Sequence, residues 1–370
     1  MRFSCTQENL VQGLSMVSRI ASRAGNLPIL SNIYLKTTAT GLELRATNLE
    51  IGLTCMVRGK VEEVGEFTVP ARLFSEYIAL LPKDKVDLVL AGSELQVVCG
   101  KNKTKIKGMP AVDFPVIPQV ENGEGGEVSL PALMEALEQV LFTISPNEGR
   151  PEISGALIVL DGSHLTVAGT DSYRLAEKAL ITSGTDKSAA RAILPLRALQ
   201  ELVRVCGSLK EEAATAKIIM SSNQFALSVP TVEFVSRLIE GQYPDYKAII
   251  PTRFGIKAKI SRAELASALK AAGLFSKTGV YDVAVSFNPE KNEVEIASLN
   301  SQTGEHASVL PAEVQGVGTK IAFNWKYLLD GVQALRGENI IIKATDSASP
   351  TMLTEEDGTD YFYIVMPIKE

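Results

Sequence analysis

Histidine is nearly absent from this 370-residue chain, and recognisable catalytic motifs are missing altogether. His164 and His306 are the only two, and neither has a Cys or another His nearby, which argues against a zinc site. Four cysteines, Cys5, Cys55, Cys99 and Cys206, lie too far apart for a C-x-x-C metal pattern or a small secreted disulfide framework; buried, reduced thiols are expected. No apolar run reaches the length of a membrane span, and the opening MRFSCTQENL has no signal-peptide core, so a cytoplasmic location is expected. A P-loop, a nucleophile elbow, a zincin helix and an EF-hand loop are all lacking. The glycine cluster Gly123, Gly125, Gly126 is interleaved with acidic residues, the wrong sign for cradling phosphate. With no set of nucleophile, base and oxyanion donor to assemble, neither an enzyme nor a cofactor is expected.

What the chain has is a threefold internal echo. Helical periodicity opens at residues 6–23, 130–145 and 260–276, and a second helix follows each at 69–82, 194–206 and 323–337. Both series repeat at about 125–130 residues, a period that points to a triplicated domain. The length divides into three portions of ordinary domain size.

Between the helices lie short β-branched or alternating segments, among them 32–37, 42–46, 86–90, 95–99, 165–168, 217–220, 283–287, 340–344 and 361–366. Tight turns such as Thr40-Gly41, Asp161-Gly162 and Asn288-Pro289 separate them, which implies antiparallel sheet and an α+β class. The Gly-rich acidic stretch 119–127 reads as a linker, and a second seam follows 243–251. Three domains, 1–122, 123–252 and 253–370, are expected.

Charge is unevenly distributed. Taken with their flanking residues, as 6–23, 70–85, 130–150, 195–210, 260–277 and 324–338, the six helical segments together carry +4, although the chain as a whole carries −6. A helix-lined positive surface on an acidic protein suits a polyanion, while ordinary solvated helix faces would give the same count. Lys101, Lys103, Lys105 and Lys107 share one face of an extended segment. That pattern fits an edge strand guarded against pairing, a controlled subunit interface, or a ridge contacting phosphates.

Several strings carry a family resemblance. Leu27-Pro28-Ile29-Leu30-Ser31-Asn32, Val69-Pro70-Ala71-Arg72, Asp113-Phe114-Pro115, Gly169-Thr170-Asp171-Ser172-Tyr173-Arg174-Leu175-Ala176, Tyr243-Pro244-Asp245-Tyr246 and Val365-Met366-Pro367-Ile368 stand in the order and spacing of the bacterial sliding clamps. The chain resembles that family, the beta subunits of DNA polymerase III, over its whole length. The resemblance implies three clamp domains, each two helices on antiparallel sheet, in a head-to-tail homodimer that closes as a ring around double-stranded DNA. It implies a processivity factor without catalysis, which tethers the replicative polymerase and serves the clamp loader and repair proteins through short peptides.

The resemblance also implies site residues. A partner-peptide pocket would take in Ile153, Thr170, Ser172, Tyr173, Arg174, Leu175, Pro244, Ile249, Asn324, Tyr327, Ile364, Val365, Met366, Pro367 and Ile368. Its apolar slot would come from Leu175, Ile249, Val365 and Met366, with Arg174 and tyrosine hydroxyls holding peptide backbone or carboxylate. DNA-facing candidates are Arg23, Arg72, Lys83, Arg197 and Arg204. At the dimer interface, Thr104 and Ile106 would meet Leu274 and Phe275. Three departures stand out: Ala248 where many clamps carry a basic residue, the ending Lys369-Glu370, and Pro151-Glu152 as a poor DNA-contacting pair. A peptide-binding hub without DNA function and a cryptic hydrolase are the competing readings.

Overall fold

Six α-helices and twenty-five strands make up the computed structural model, which describes residues 1–21, 27–120, 122–147, 149–184, 189–209, 214–277, 279–358 and 360–368. The helices are α1 (Gln7–Val17), α2 (Ala71–Leu80), α3 (Leu130–Leu141), α4 (Leu196–Gly207), α5 (Arg262–Gly273) and α6 (Trp325–Ala334), one for each helical periodicity in the sequence. Their starts have local causes. Thr6 caps α1 by accepting from the Asn9 amide, Ser261 caps α5 by accepting from Glu264, and Asn324 caps α6 by accepting from Lys326. In α2 and α4 the chain enters through Pro70 and Pro195, which fix φ without a side-chain cap. Each helix buries one stripe; α4 buries Ala198, Leu199, Leu202, Val205 and Cys206, leaving Arg197 outside. A fully buried Leu is worth about 1.5–3 kcal/mol, so such a stripe outweighs the weak propensity of its β-branched members.

Contacts divide the chain into two compact units. The first holds residues 1–134, 160–163 and 182–238. It contains a five-stranded sheet in the order Lys60–Glu63, Arg2–Thr6, Lys85–Ala91, Glu94–Cys99, Asn102–Lys107. It also contains a continuous antiparallel run: Gly65–Pro70, Asn32–Thr38, Gly41–Thr47, Ile51–Val57, Val232–Arg237, Gln224–Val229, Thr215–Met220, Glu124–Ser129. Within that run the first and second copies share one sheet, because Val232 pairs with Cys55 and Ser236 with Ile51.

The second unit holds residues 135–159, 164–181 and 239–370. Its strands follow likewise: His164–Thr170, Arg174–Ser183, Tyr361–Val365, Thr351–Glu355, Asn339–Ala344, Ile256–Ser261, Gly304–Gly316, Glu293–Asn300, Asp282–Asn288, Thr319–Asn324. Arg174 pairs with Val365, joining second-copy and third-copy sequence edge to edge.

One sequence expectation needs correction. The stretch 119–127 is not all linker: Glu124–Ser129 is a strand paired with Thr215–Met220. Its glycines reflect close approach, since a Cβ on Gly125 would sit 2.4 Å from the Ile218 carbonyl oxygen. The stretch 243–251, which precedes the expected second seam, is anchored. Tyr243 and Tyr246 are buried, their rings edge to face at 6.2 Å, with the Tyr243 hydroxyl 3.5 Å from the Ala168 carbonyl oxygen and the Tyr246 hydroxyl donating to Glu177.

Candidate binding groove

The segment Thr170–Arg174 is a tight turn built on one carboxylate. Asp171 Oδ1 accepts from the Tyr173 and Arg174 amides at 2.9 and 3.0 Å, and Thr170 Oγ1 donates to the Arg174 carbonyl at 2.7 Å. Ser172 is forced to φ 77°, a left-handed conformation that costs about 1–2 kcal/mol for a residue with a side chain. Its amide donates to Thr170 Oγ1 at 3.1 Å and Arg150 donates to its hydroxyl at 2.8 Å. The turn projects Tyr173, 62% exposed, whose ring stacks on Tyr327 of α6 at 6.3 Å. Met366 is drawn in by its amide, which donates to the Tyr173 carbonyl at 2.8 Å.

Beneath this surface Arg174 is fully engaged. Its guanidinium pairs with Asp171 at 3.0 Å and Asp330 at 2.5 Å, and lies over the rings of Tyr327 at 4.5 Å and Phe142 at 5.4 Å. Only 13% of the side chain is exposed. Arg174 was expected to hold peptide backbone or a carboxylate; in the structure two carboxylates already hold it, and it fastens the turn to α6. Tyr363, stacked on Phe142 at 5.7 Å, donates to the Tyr327 carbonyl at 2.7 Å; burial pushes its hydroxyl well above the usual tyrosine range, so it stays a donor. Gly331 is required here, because a Cβ would meet the Tyr363 ring at 2.2 Å.

The expected pocket residues separate into surface and floor. Tyr173 and Ile249 are exposed, and Pro244, Asn324, Tyr327, Met366 and Ile368 are half-buried. Thr170, Ser172, Tyr173, Arg174, Tyr327 and Met366 are brought together by the bonds and stacks above. Leu175, Ile364 and Val365 are buried strand residues, Leu175 opposite Ile364 in register; Ile153 and Pro367 are buried too. An exposed apolar slot using Leu175 and Val365 is thus corrected: both are fully buried, and the pleat sends them to opposite faces of the sheet, Leu175 with Ile364 and Val365 with Arg174. Asn324 spends its side chain capping α6. Asp171, Asp330, Phe142 and Arg150 were missed. Asp330 had a signal, standing three residues beyond Tyr327 on one face of α6.

The cationic candidates also differ from expectation. Arg204 is committed elsewhere: it donates to the Ser15 and Met16 carbonyls at the end of α1, at 2.8 and 2.6 Å, and pairs with Glu201 at 2.7 Å. It satisfies carbonyls that the helix leaves unpaired and meets the negative end of its dipole. Lys83 pairs with Glu8 at 2.8 Å and Arg72 with Glu76 at 2.7 Å, both well exposed. Arg197 is exposed without an ion pair among the described residues, as are Arg19, Lys270 and Lys277. Arg23, and the ending Lys369-Glu370, lie outside the described residues.

Among the described residues, strand Asn102–Lys107 pairs along one side only, with Glu94–Cys99, and so forms an open edge. Lys103, Lys105 and Lys107 are exposed and Thr104 is half-buried; Ile106, 4% exposed, turns into the core and is withdrawn as an interface side chain. Leu274 is 77% exposed, and Phe275 stacks on His306 at 5.7 Å. All four cysteines are buried, with burial pushing Cys5 and Cys206 up to about 12. Ala248 is exposed, and Arg150 pairs with Glu152 at 3.2 Å.

A repeated scaffold of two helices on antiparallel sheet, carrying the stacked Tyr173 and Tyr327 beside Met366, is the frame of a binding protein of the clamp class. Residues 1–118, 127–245 and 247–369 match, in turn, the N-terminal, central and C-terminal domain models of the DNA polymerase III beta subunit. The whole chain is 30% identical to the beta sliding clamp of Synechococcus elongatus, covering 99% of it. A crystal structure of the Pseudomonas aeruginosa clamp bound to griselimycin superposes with a TM-score of 0.95 at 26% identity, each chain fully covered. The DNA polymerase III beta subunit of Thermotoga maritima gives 0.91 at 27%, covering all of this chain and 99% of the other. The chain belongs to the DNA polymerase III beta subunit family. It is a non-catalytic sliding clamp of DNA replication.

Proposed function

We propose that two copies of this chain, each with domains 1–122, 123–252 and 253–370, close head to tail into a ring around duplex DNA. The observation that carries this reading is the pair of open strand edges. Asn102–Lys107 exposes Lys103, Lys105 and Lys107 along its free side. Residues 304–311 of Gly304–Gly316 pair only with Glu293–Asn300 among the described residues, and carry Glu305 with His306 beside Phe275 and Leu274. Edge-to-edge pairing of these two strands would satisfy both sets of backbone groups, and a heterologous contact makes a closed ring where its rotation returns the second copy's free edge to the first. Arg19, Arg72, Lys83, Arg197, Lys270 and Lys277 would form the weakly positive lining. Tight phosphate binding would hold the clamp in place, whereas topological linkage retains it and leaves it free to slide.

The groove of Tyr173, Tyr327, Met366 and Ile368, with Pro244 and Ile249 as further candidates, would take short apolar peptides of the polymerase, the clamp loader and repair proteins. Methionine adapts to varied side chains and the stacked tyrosines give rigid contact area. With Arg174 neutralised by Asp171 and Asp330, recognition would rest on apolar burial and main-chain hydrogen bonds. The cytoplasm is the compartment where this work takes place; no helix among the described residues is long and apolar enough to cross a membrane. Retention on nicked circular DNA after loading, before and after the circle is cut, tests the reading. Release on linearisation is expected. Retention on linear DNA with free ends would mean ordinary salt-sensitive binding, and no retention on either would leave a peptide-binding hub.

A further inference from the structure

A lysine pair on the third-copy sheet has no role in the clamp reading. Lys257 on Ile256–Ser261 stands directly opposite Lys343 on Asn339–Ala344. Like charges facing one another across antiparallel strands are destabilising, and sheets usually relieve them with a carboxylate. Here the nearby carboxylates are taken. Glu313 and Glu356 both hold Lys259, at 3.7 and 2.6 Å, while neither Lys257 nor Lys343 has an ion pair among the described residues. The other cross-strand neighbours are uncharged, Gln315 beside Lys257 and Met352 beside Lys343. The Arg253 carbonyl accepts from Thr345, two residues beyond Lys343. Asp346 is turned to its own loop, accepting from the Ala348 and Ser349 amides. The Lys343 ammonium lies 5.9 Å from the Phe254 ring centre, against an apolar face. Burial and the Lys257 charge together hold its amine below the usual lysine range.

We propose that Lys343 is a preferred acylation site of this protein, with small acyl phosphates as the donor class. The neutral amine attacks the acyl carbonyl, a C–N bond forms, and the C–O bond to phosphate breaks. Phosphate leaves with the bonding electrons and the amine proton passes to water. The amide product carries no charge, so acylation removes the repulsion that made the amine reactive.

Timed labelling of the full chain with acetyl phosphate, quantified for each lysine by mass spectrometry, tests this. The ratio of labelling near pH 7 to that near pH 10 removes differences in access, and it should be greater at Lys343 than at exposed Lys217 and Lys291 by about threefold or more. Lys257→Gln keeps an exposed polar side chain and should bring the ratio at Lys343 down toward theirs. A Lys343 ratio no higher than theirs overturns the proposal, as does a raised ratio that Lys257→Gln leaves unchanged.

Discussion

Arg174→Ala is the substitution on which the groove's architecture depends most directly. The guanidinium is 13% exposed and joins Asp171 of the turn to Asp330 of α6, with Tyr327 and Phe142 above and below. Removing one partner of a buried ion pair costs about 3–5 kcal/mol, because the abandoned charges stay desolvated. Asp330 is 40% exposed and regains water, which lowers the expectation to about 2–4 kcal/mol. The chain's single tryptophan, Trp325, begins the same helix that carries Asp330 and reports locally. Urea unfolding followed by its fluorescence should show an earlier transition in Arg174→Ala. Asp330→Ala alone should cost less, since Arg174 keeps Asp171. The double variant should fall short of the summed effects by about 1–3 kcal/mol, the coupling expected of groups in direct contact. Binding of a partner peptide should weaken in Arg174→Ala although Arg174 offers it no charge, because Tyr173 loses its support. A stability change under about 0.5 kcal/mol, or strict additivity in the double variant, would refute this account.

Gly331→Ala, which in an exposed helix would stabilise, should here destabilise by about 1–3 kcal/mol as the methyl meets the Tyr363 ring, checked by thermal unfolding. Arg204→Ala should cost about 1–2 kcal/mol through the lost bonds to α1, with little effect on DNA retention at matched folded protein. Arg197→Glu should do the reverse, shortening retention on circular DNA at low salt while leaving the unfolding midpoint within about 0.5 kcal/mol of the parent.

The helices were legible because their apolar stripes recur at the helical period, and tertiary packing rewards that same stripe. Strand Glu124–Ser129 was not, because glycines chosen for close approach to Ile218 and Met220 look in sequence like a flexible tether. Gly304–Gly316 escaped notice for another reason: exposed positions alternate with half-buried ones over nearly all its length, so no apolar alternation marks it. In the groove, the family-like string pointed to Arg174 but not to its chemistry. The carboxylate that distinguishes a free cation from a neutralised one, Asp330, lies 156 residues away. Arg204 misled similarly, since its basic character is visible and the helix end it serves is not.

The sharing of one sheet by two copies has a consequence for how the chain is made. Strand Ile51–Val57 finds its second neighbour only when Val232–Arg237 has been synthesised. At synthesis rates of about 5–20 residues per second that wait is on the order of 10–30 s. During it the nascent chain presents an edge bearing Ile51, Leu53, Cys55 and Val57, all buried in the finished molecule. The ribosome-bound intermediate, more than the native protein, is then the species most open to mispairing with another chain, and the one on which a chaperone would act.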